Sequence, residues 1–257
     1  IQFYGPNRLR GAGRSLIRRF GLPMSRHPEK NRAEVAEALA DMTRGCDRLV
    51  LSEENFIGTL QNNWGRIPTP LYPEAGERLA VLAGRIAPKG IHVHLGVRSP
   101  AGYMQSAFCQ GLLSGKKVPL ENYKAKNPLS AVDWAGLVHR LIAAKGVAHV
   151  TVWQHEQYAG VFDQITQSLF GEAGAGLVTP IAKHVHRGLS GAAVDTLMGI
   201  PDVTEELAKE VRAQMPIGDD FPPFVAFNGD EAALSDAYYT DQVWQIEQLP
   251  KVTFLRP

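Results

Sequence analysis

The sequence predicts an α/β protein with a mainly parallel sheet flanked by helices. Three observations carry that prediction. Short apolar runs at 48–52, 91–97 and 147–153 alternate with segments whose apolar residues recur every three or four positions. The segments between these runs are long enough for the crossover helices that parallel strands require. No internal repeat or low-complexity linker divides the 257 residues, so the chain reads as one domain spanning 1–257.

Val35, Leu39 and Met42 stand at i, i+4 and i+7, which makes 32–44 an amphipathic helix closed by Gly45. Arg48-Leu49-Val50-Leu51-Ser52 is the first strand. Pro73 opens the next helix, with Leu79, Leu82 and Ile86 on one face. Ile91 to Val97 is the second strand. Ser99-Pro100 joins an N-cap to a proline at the first helical position, so a helix runs from there to residue 113. Residues 114–130 contain Pro, Asn, Lys116, Lys117, Lys124 and Lys126, and read as a long loop of the kind that is often functional. Trp134, Leu137, Val138, Leu141 and Ile142 mark a helix, Val147 to Trp153 a third strand, and Phe162, Ile165 and Leu169 the helix after it. Further helices are expected at 190–199, 203–214 and 230–248, and Val252 to Leu255 is the last apolar run.

Composition narrows the function classes. The formal net charge of +1 argues against a wholesale electrostatic grip on nucleic acid. No apolar run is long enough for a membrane-spanning helix. Two cysteines, Cys46 and Cys109, exclude a disulfide scaffold and a Cys-rich zinc module. With no signal-peptide pattern, a cytoplasmic protein is expected. The near-neutral total conceals an asymmetry, because residues 1–32 hold eight Lys or Arg against Glu29 alone. That stretch is either a surface for an anionic partner or a solvated arm.

Ligands of parallel sheets bind beyond the carboxyl ends of the strands. Three segments fall there: Ser52-Glu53-Glu54-Asn55, Arg98 with its helix, and His155-Glu156. Arg98 stands where a strand meets a helix start, whose N–H groups and dipole favour an anion. Its guanidinium adds a fork suited to phosphate. Ser99, Gly102 and Ser106 share one helix face, where small residues admit a ligand and Ser106 can donate its hydroxyl. The same pattern also fits a close-packing face with Arg98 in an ion pair. Glu53 and Glu54 are adjacent, and extended backbone turns only one of them toward a site. His92 and His94 have no carboxylate or cysteine neighbour and read as core histidines rather than metal ligands. Glu156 reads as a cap or an ion-pair partner.

The run Val97-Arg98-Ser99-Pro100-Ala101-Gly102-Tyr103-Met104-Gln105-Ser106 resembles the 3′-phosphate motif of sulfotransferases that use 3′-phosphoadenosine 5′-phosphosulfate (PAPS). There an Arg at a strand end is followed eight residues later by a Ser on the next helix. Leu49 to Glu53 resembles the family's strand ending in Ser-Glu, and Val152 to Tyr158 its strand ending in an aromatic followed by Glu. Asp241 to Pro257 resembles its terminal helix and short last strand. The resemblance extends along most of the chain, in the manner of bacterial sulfotransferase-like proteins. It implies a P-loop-NTPase-like sulfotransferase architecture. It also implies sulfuryl transfer from PAPS to a hydroxyl or amine acceptor, with PAP released and no metal used. Residue by residue, it implies that Arg98 and Ser106 hold the 3′-phosphate. His155 would stack on the adenine where the family often has Tyr. His186-Arg187-Gly188-Leu189-Ser190-Gly191 resembles a loosened form of the basic loop that closes over the phosphate, which brings in Arg187 and Gly188. Glu53 becomes the candidate catalytic base, or else a ligand of the acceptor or the partner of an Arg.

The departure from the family lies at the start. Sulfotransferases grip the 5′-phosphosulfate with a loop of Lys, Gly and Ser or Thr after their first strand. Gly11-Ala12-Gly13-Arg14-Ser15 is Gly-rich and basic, but no apolar strand precedes it. Ile1 to Pro6 instead resembles the segment after the family's first helix. The sequence thus reads either as beginning partway into a longer protein or as a protein that has lost the loop. The competing function is a catalytically silent nucleotide- or phosphate-binding or interaction protein of the same fold. A dehydrogenase is disfavoured because no G-x-G-x-x-G follows a strand.

Overall fold

The structure is a computed structural model and describes residues 1–10, 32–62, 65–87, 89–180 and 188–257. Its elements run β1 (Gln2–Tyr4), α1 (Pro6–Arg10), α2 (Arg32–Thr43), β2 (Leu49–Leu51), α3 (Ala75–Ile86), β3 (Ile91–Val97), α4 (Pro100–Leu113), α5 (Leu120–Lys126), α6 (Trp134–Ala143), β4 (Val147–Gln154), α7 (Tyr158–Ala175), α8 (Gly191–Gly199), α9 (Glu205–Gln214), α10 (Gly229–Glu247) and β5 (Val252–Leu255). The architecture is α/β, and every pairing between these strands is parallel.

The strands do not form the single sheet that the sequence predicts. β1 pairs with β2 in one small sheet, and β3, β4 and β5 pair in that order in another. Sequence alternation shows which segments are strands, whereas the edge a strand pairs on is set by distant packing. Both sheets rest on α7. Arg48, at the entrance to β2, donates through Nη1 to the Ser168 and Leu169 carbonyls, each at 3.1 Å. His94 of β3 places Nε2 2.9 Å from the Ser168 hydroxyl. Phe3 of β1 meets Phe170 edge-on, with centroids 6.1 Å apart.

The three-stranded sheet has two unlike faces. Val97, Val150 and Val152 are fully buried in the main core, together with Leu137, Leu141 and Ile246 from the helices. Removing one such side chain from water is worth about 1.5–3 kcal/mol. The opposite face carries His92, His94, Gly96, His149 and Trp153, with His92 opposite His149 and Gly96 opposite Trp153. It packs on α7 through the smaller cluster of Val161, Ile165 and Leu255. His94 is half-buried and His92 is exposed, and neither belongs to the buried core that the sequence predicts for them.

Residues 114–130 are not the extended loop that the sequence predicts. They contain α5, which is held by the buried Tyr123, whose hydroxyl donates to the Met104 carbonyl at 3.0 Å. A single buried residue in one short helix leaves no periodicity to read. Two of its lysines are engaged: Lys117 donates to the Ile200 carbonyl at 2.6 Å, and Lys124 pairs with Glu231 at 2.6 Å. Most of the basic stretch 1–32, including Gly11 to Ser15, lies outside the described residues.

Candidate functional site

Arg98 follows β3, and His155 follows β4. Because Val97 stands opposite Gln154, the two residues leave neighbouring strands at the same edge. Arg98 is half-buried and His155 exposed. The Arg98 side chain folds back over the first turn of α4, where a Cβ on Gly102 would lie 3.1 Å from Arg98 Nε. Gly102 is thus the residue that lets the guanidinium lie along the helix. Among the described residues, no carboxylate forms an ion pair with Arg98. Ser106 is exposed further along the same helix.

The start of α4 differs from the open anion site that the sequence predicts. Ser99 N donates to Glu156 Oε1 at 2.9 Å, Ala101 N to the Ser235 hydroxyl at 2.9 Å, and Gly102 N to the Ser99 hydroxyl at 3.2 Å. Residue 100 is proline and has no N–H. The donors of the first turn are therefore taken by protein groups, two of them from residues distant in the chain. An anion beside Arg98 would meet side chains, not a bare helix terminus. Glu156 acts as the cap that the sequence suggests.

Gly188 is exposed, and the next residue, Leu189, is buried against α4. The Cys109 thiol hydrogen-bonds the Leu189 backbone, and burial pushes that thiol's pKa up. The Leu189 carbonyl accepts from Phe224 N at 3.0 Å. Leu189 therefore lies beside Cys109 of α4, the helix that also carries Ser106. Arg187 lies outside the described residues.

Glu53 sits at the carboxyl end of β2, in the other sheet. It is 8% exposed, whereas Glu54, the first residue of the short turn that follows, is exposed. Glu53 Oε1 accepts from Asn55 N and Asn55 Nδ2, each at 3.0 Å, and so caps the short turn Glu54–Phe56. A tyrosine pair links this corner to α4: the Tyr103 hydroxyl donates to the Tyr72 hydroxyl at 3.1 Å. Burial pushes both phenols up, and the Glu54 charge acts in the same direction, so both stay protonated. Tyr103 also meets Trp134 edge-on, with centroids 5.1 Å apart.

Arg98 and His155 thus follow neighbouring strands at one sheet edge, Ser106 lies further along α4, and Glu53 ends β2 in the other sheet. Sequence reasoning missed Tyr239, Ser235 and Trp134. The Tyr239 hydroxyl lies 3.0 Å from the Val97 carbonyl and 3.1 Å from Glu156 Oε2. Trp134 Nε1 donates to the Arg98 carbonyl at 2.7 Å. A signal for two of them existed: Ser235 and Tyr239 share the buried stripe of α10 with Val243 and Ile246. Polar residues on an apolar stripe need buried partners.

Among the described residues, no group of three His, Cys, Asp or Glu side chains is arranged to hold a metal ion. None of their helices is long and apolar enough to cross a membrane. Comparisons of the chain with protein-family models, characterised proteins and solved structures find no match.

Proposed function

We propose that this chain binds a phosphorylated adenine nucleotide of the PAPS type and has the chemistry of a sulfotransferase. One observation supports this reading above the others. Arg98 follows a parallel strand, is half-buried as a residue, and has no carboxylate partner among the described residues. A partly desolvated cation without a counter-charge costs stability, and a bound phosphate would offset that cost. Ser106 would add a hydroxyl, His155 a ring for the base, and Gly188 and Arg187 a covering loop.

In the transfer itself, an acceptor oxygen or nitrogen attacks sulfur, the bond from sulfur to the 5′-phosphate oxygen breaks, and PAP leaves. Glu53 would take the acceptor's proton. One observation favours the second reading, a catalytically silent binder: Glu53 is buried, and one of its oxygens is already engaged by Asn55.

Calorimetry with PAP and with adenosine 5′-phosphosulfate, which lacks the 3′-phosphate, tests the binding. PAP is expected to bind more tightly, with the preference carried by Arg98. Equal affinity for the two nucleotides sinks the reading. Release of PAP from PAPS, lost in Glu53→Gln while PAP affinity stays, separates the enzyme from the silent binder.

A further inference from the structure

Arg98 combines a side chain with no carboxylate partner among the described residues and a main chain held before, at and after it. Ahead of it, the Val97 carbonyl faces the Tyr239 hydroxyl at 3.0 Å. Its own carbonyl accepts from Trp134 Nε1 at 2.7 Å. Beyond it, Ser99 N donates to Glu156 Oε1 at 2.9 Å. Tyr239 and Glu156 are themselves joined at 3.1 Å, and Tyr239 also hydrogen-bonds the Gln154 side chain. Burial pushes the Tyr239 phenol up, with the Glu156 charge adding to the effect, so its proton stays in this network.

We propose that Tyr239 and Glu156 are positioning residues for anion recognition by Arg98, an inference that rests on the reading of Arg98 as the 3′-phosphate ligand. A bidentate guanidinium–phosphate contact tolerates displacements of only about 0.5 Å, so the main chain that launches the side chain must be fixed before the ligand arrives. Satisfying Tyr239 alone would need only the Val97 carbonyl. The same phenol proton is shared with Glu156 Oε2, which ties α10 to the residue that caps Ser99 and closes a loop of contacts around Arg98. Glu156 has a second effect. By taking the Ser99 N–H it removes a competing donor from the anion and leaves recognition to Arg98 and Ser106.

The test measures PAP and adenosine 5′-phosphosulfate binding by calorimetry for Tyr239→Phe, Glu156→Ala and Glu156→Gln, alone and combined with Arg98→Ala. Tyr239→Phe and Glu156→Ala are expected to weaken PAP about tenfold, the scale of losing an outer support of a ligand group. Adenosine 5′-phosphosulfate should stay within about twofold of the unmodified protein. Glu156→Gln keeps an acceptor for Ser99 N and should restore most of the PAP affinity. In the Arg98→Ala background, Tyr239→Phe should have no further effect on PAP.

A merely structural role would weaken both nucleotides equally, or persist without Arg98, and either result overturns the proposal. If Tyr239→Phe does not fold, the contrast between Glu156→Ala and Glu156→Gln carries the same test. Failure of Arg98→Ala to weaken PAP would instead overturn the phosphate reading of Arg98. Selective loss in Arg98→Ala with none in Tyr239→Phe and Glu156→Ala would overturn the positioning role alone.

Discussion

Glu53 follows β2 and Arg98 follows β3, each at the carboxyl end of a parallel strand, yet their surroundings are opposite. The Glu53 carboxylate is buried and capped by its own turn, with Asn55 supplying two donors to one oxygen. Arg98 is half-buried, runs its side chain past Gly102, and has no carboxylate partner among the described residues. A charged group satisfied by local bonds is held for the stability of its corner. One that is desolvated without a counter-charge is held for something that arrives later. On the proposed reading, ligand binding belongs to the end of β3, whereas the Glu53 side chain caps the turn after β2.

The largest expected effect follows directly. Arg98→Ala should weaken PAP binding by about 2–5 kcal/mol, as for the loss of one partner in a desolvated charge pair. Ser106→Ala removes a single hydroxyl bond to a charged acceptor and should cost about 1.5–3 kcal/mol. Calorimetry gives both numbers. A larger loss for Ser106→Ala than for Arg98→Ala would break the comparison, because the anion would then sit away from the guanidinium.

The same strand offers a second contrast within its own length. His94 is engaged: its ring meets Ser168, and burial, with His92, Arg48 and His149 nearby, pulls its pKa down to about 4. The unfolded imidazole titrates at about 6.5. Between these values the unfolded chain binds a proton that the native state refuses, so stability falls as pH drops from about 6.5 to about 4 and is flat below. With the ring's partial exposure discounted, the total is about 2 kcal/mol. Urea melts across that range should show the slope, and His94→Gln should lose it while keeping a group that can bond Ser168. An unchanged slope in His94→Gln would remove His94 as its source.

Glu53→Ala tests the other half of the comparison. Loss of a capping side chain typically costs about 1 kcal/mol, which a urea melt would read as a lowered midpoint. PAP affinity should be unchanged. A selective fall in PAP affinity at constant stability would place Glu53 in the binding site and erase the distinction from Arg98.

These contrasts mark where the sequence could be read and where it could not. The strand–helix alternation was legible because apolar spacing is local, and so was the Ser99 cap, which lies three residues from the N–H it serves. The division into two sheets was not, since nothing within Leu49–Leu51 states which edge will find a partner. The closed start of α4 was equally hidden. Its caps come from Glu156 and Ser235, 57 and 134 residues from the N–H groups they accept. Arg98 could be picked out by type and position, but its surroundings are set by residues distant in the chain.

The smallest expected effect is the most pointed, because it concerns space and not charge. Gly102→Ala adds one methyl that would lie 2.9 Å from the Ser99 hydroxyl and 3.1 Å from Arg98 Nε. Alanine is the better helix former by about 1 kcal/mol, which offsets the crowding, so the melting midpoint should move little. The crowding has two ways to relax. The Ser99 hydroxyl gives way slightly, which weakens the Gly102 N–H cap. The arginine, as the end of a flexible side chain, swings off the helix face. In the second case the guanidinium leaves its preset position while the fold stays intact, and PAP affinity should fall about three- to tenfold, roughly 0.7–1.4 kcal/mol. In Arg98→Ala the methyl has no guanidinium to displace, so Gly102→Ala should then have no effect on PAP. A loss of affinity that persists in the double variant would mean that Gly102 touches the nucleotide itself, and that the glycine serves the ligand rather than the arginine.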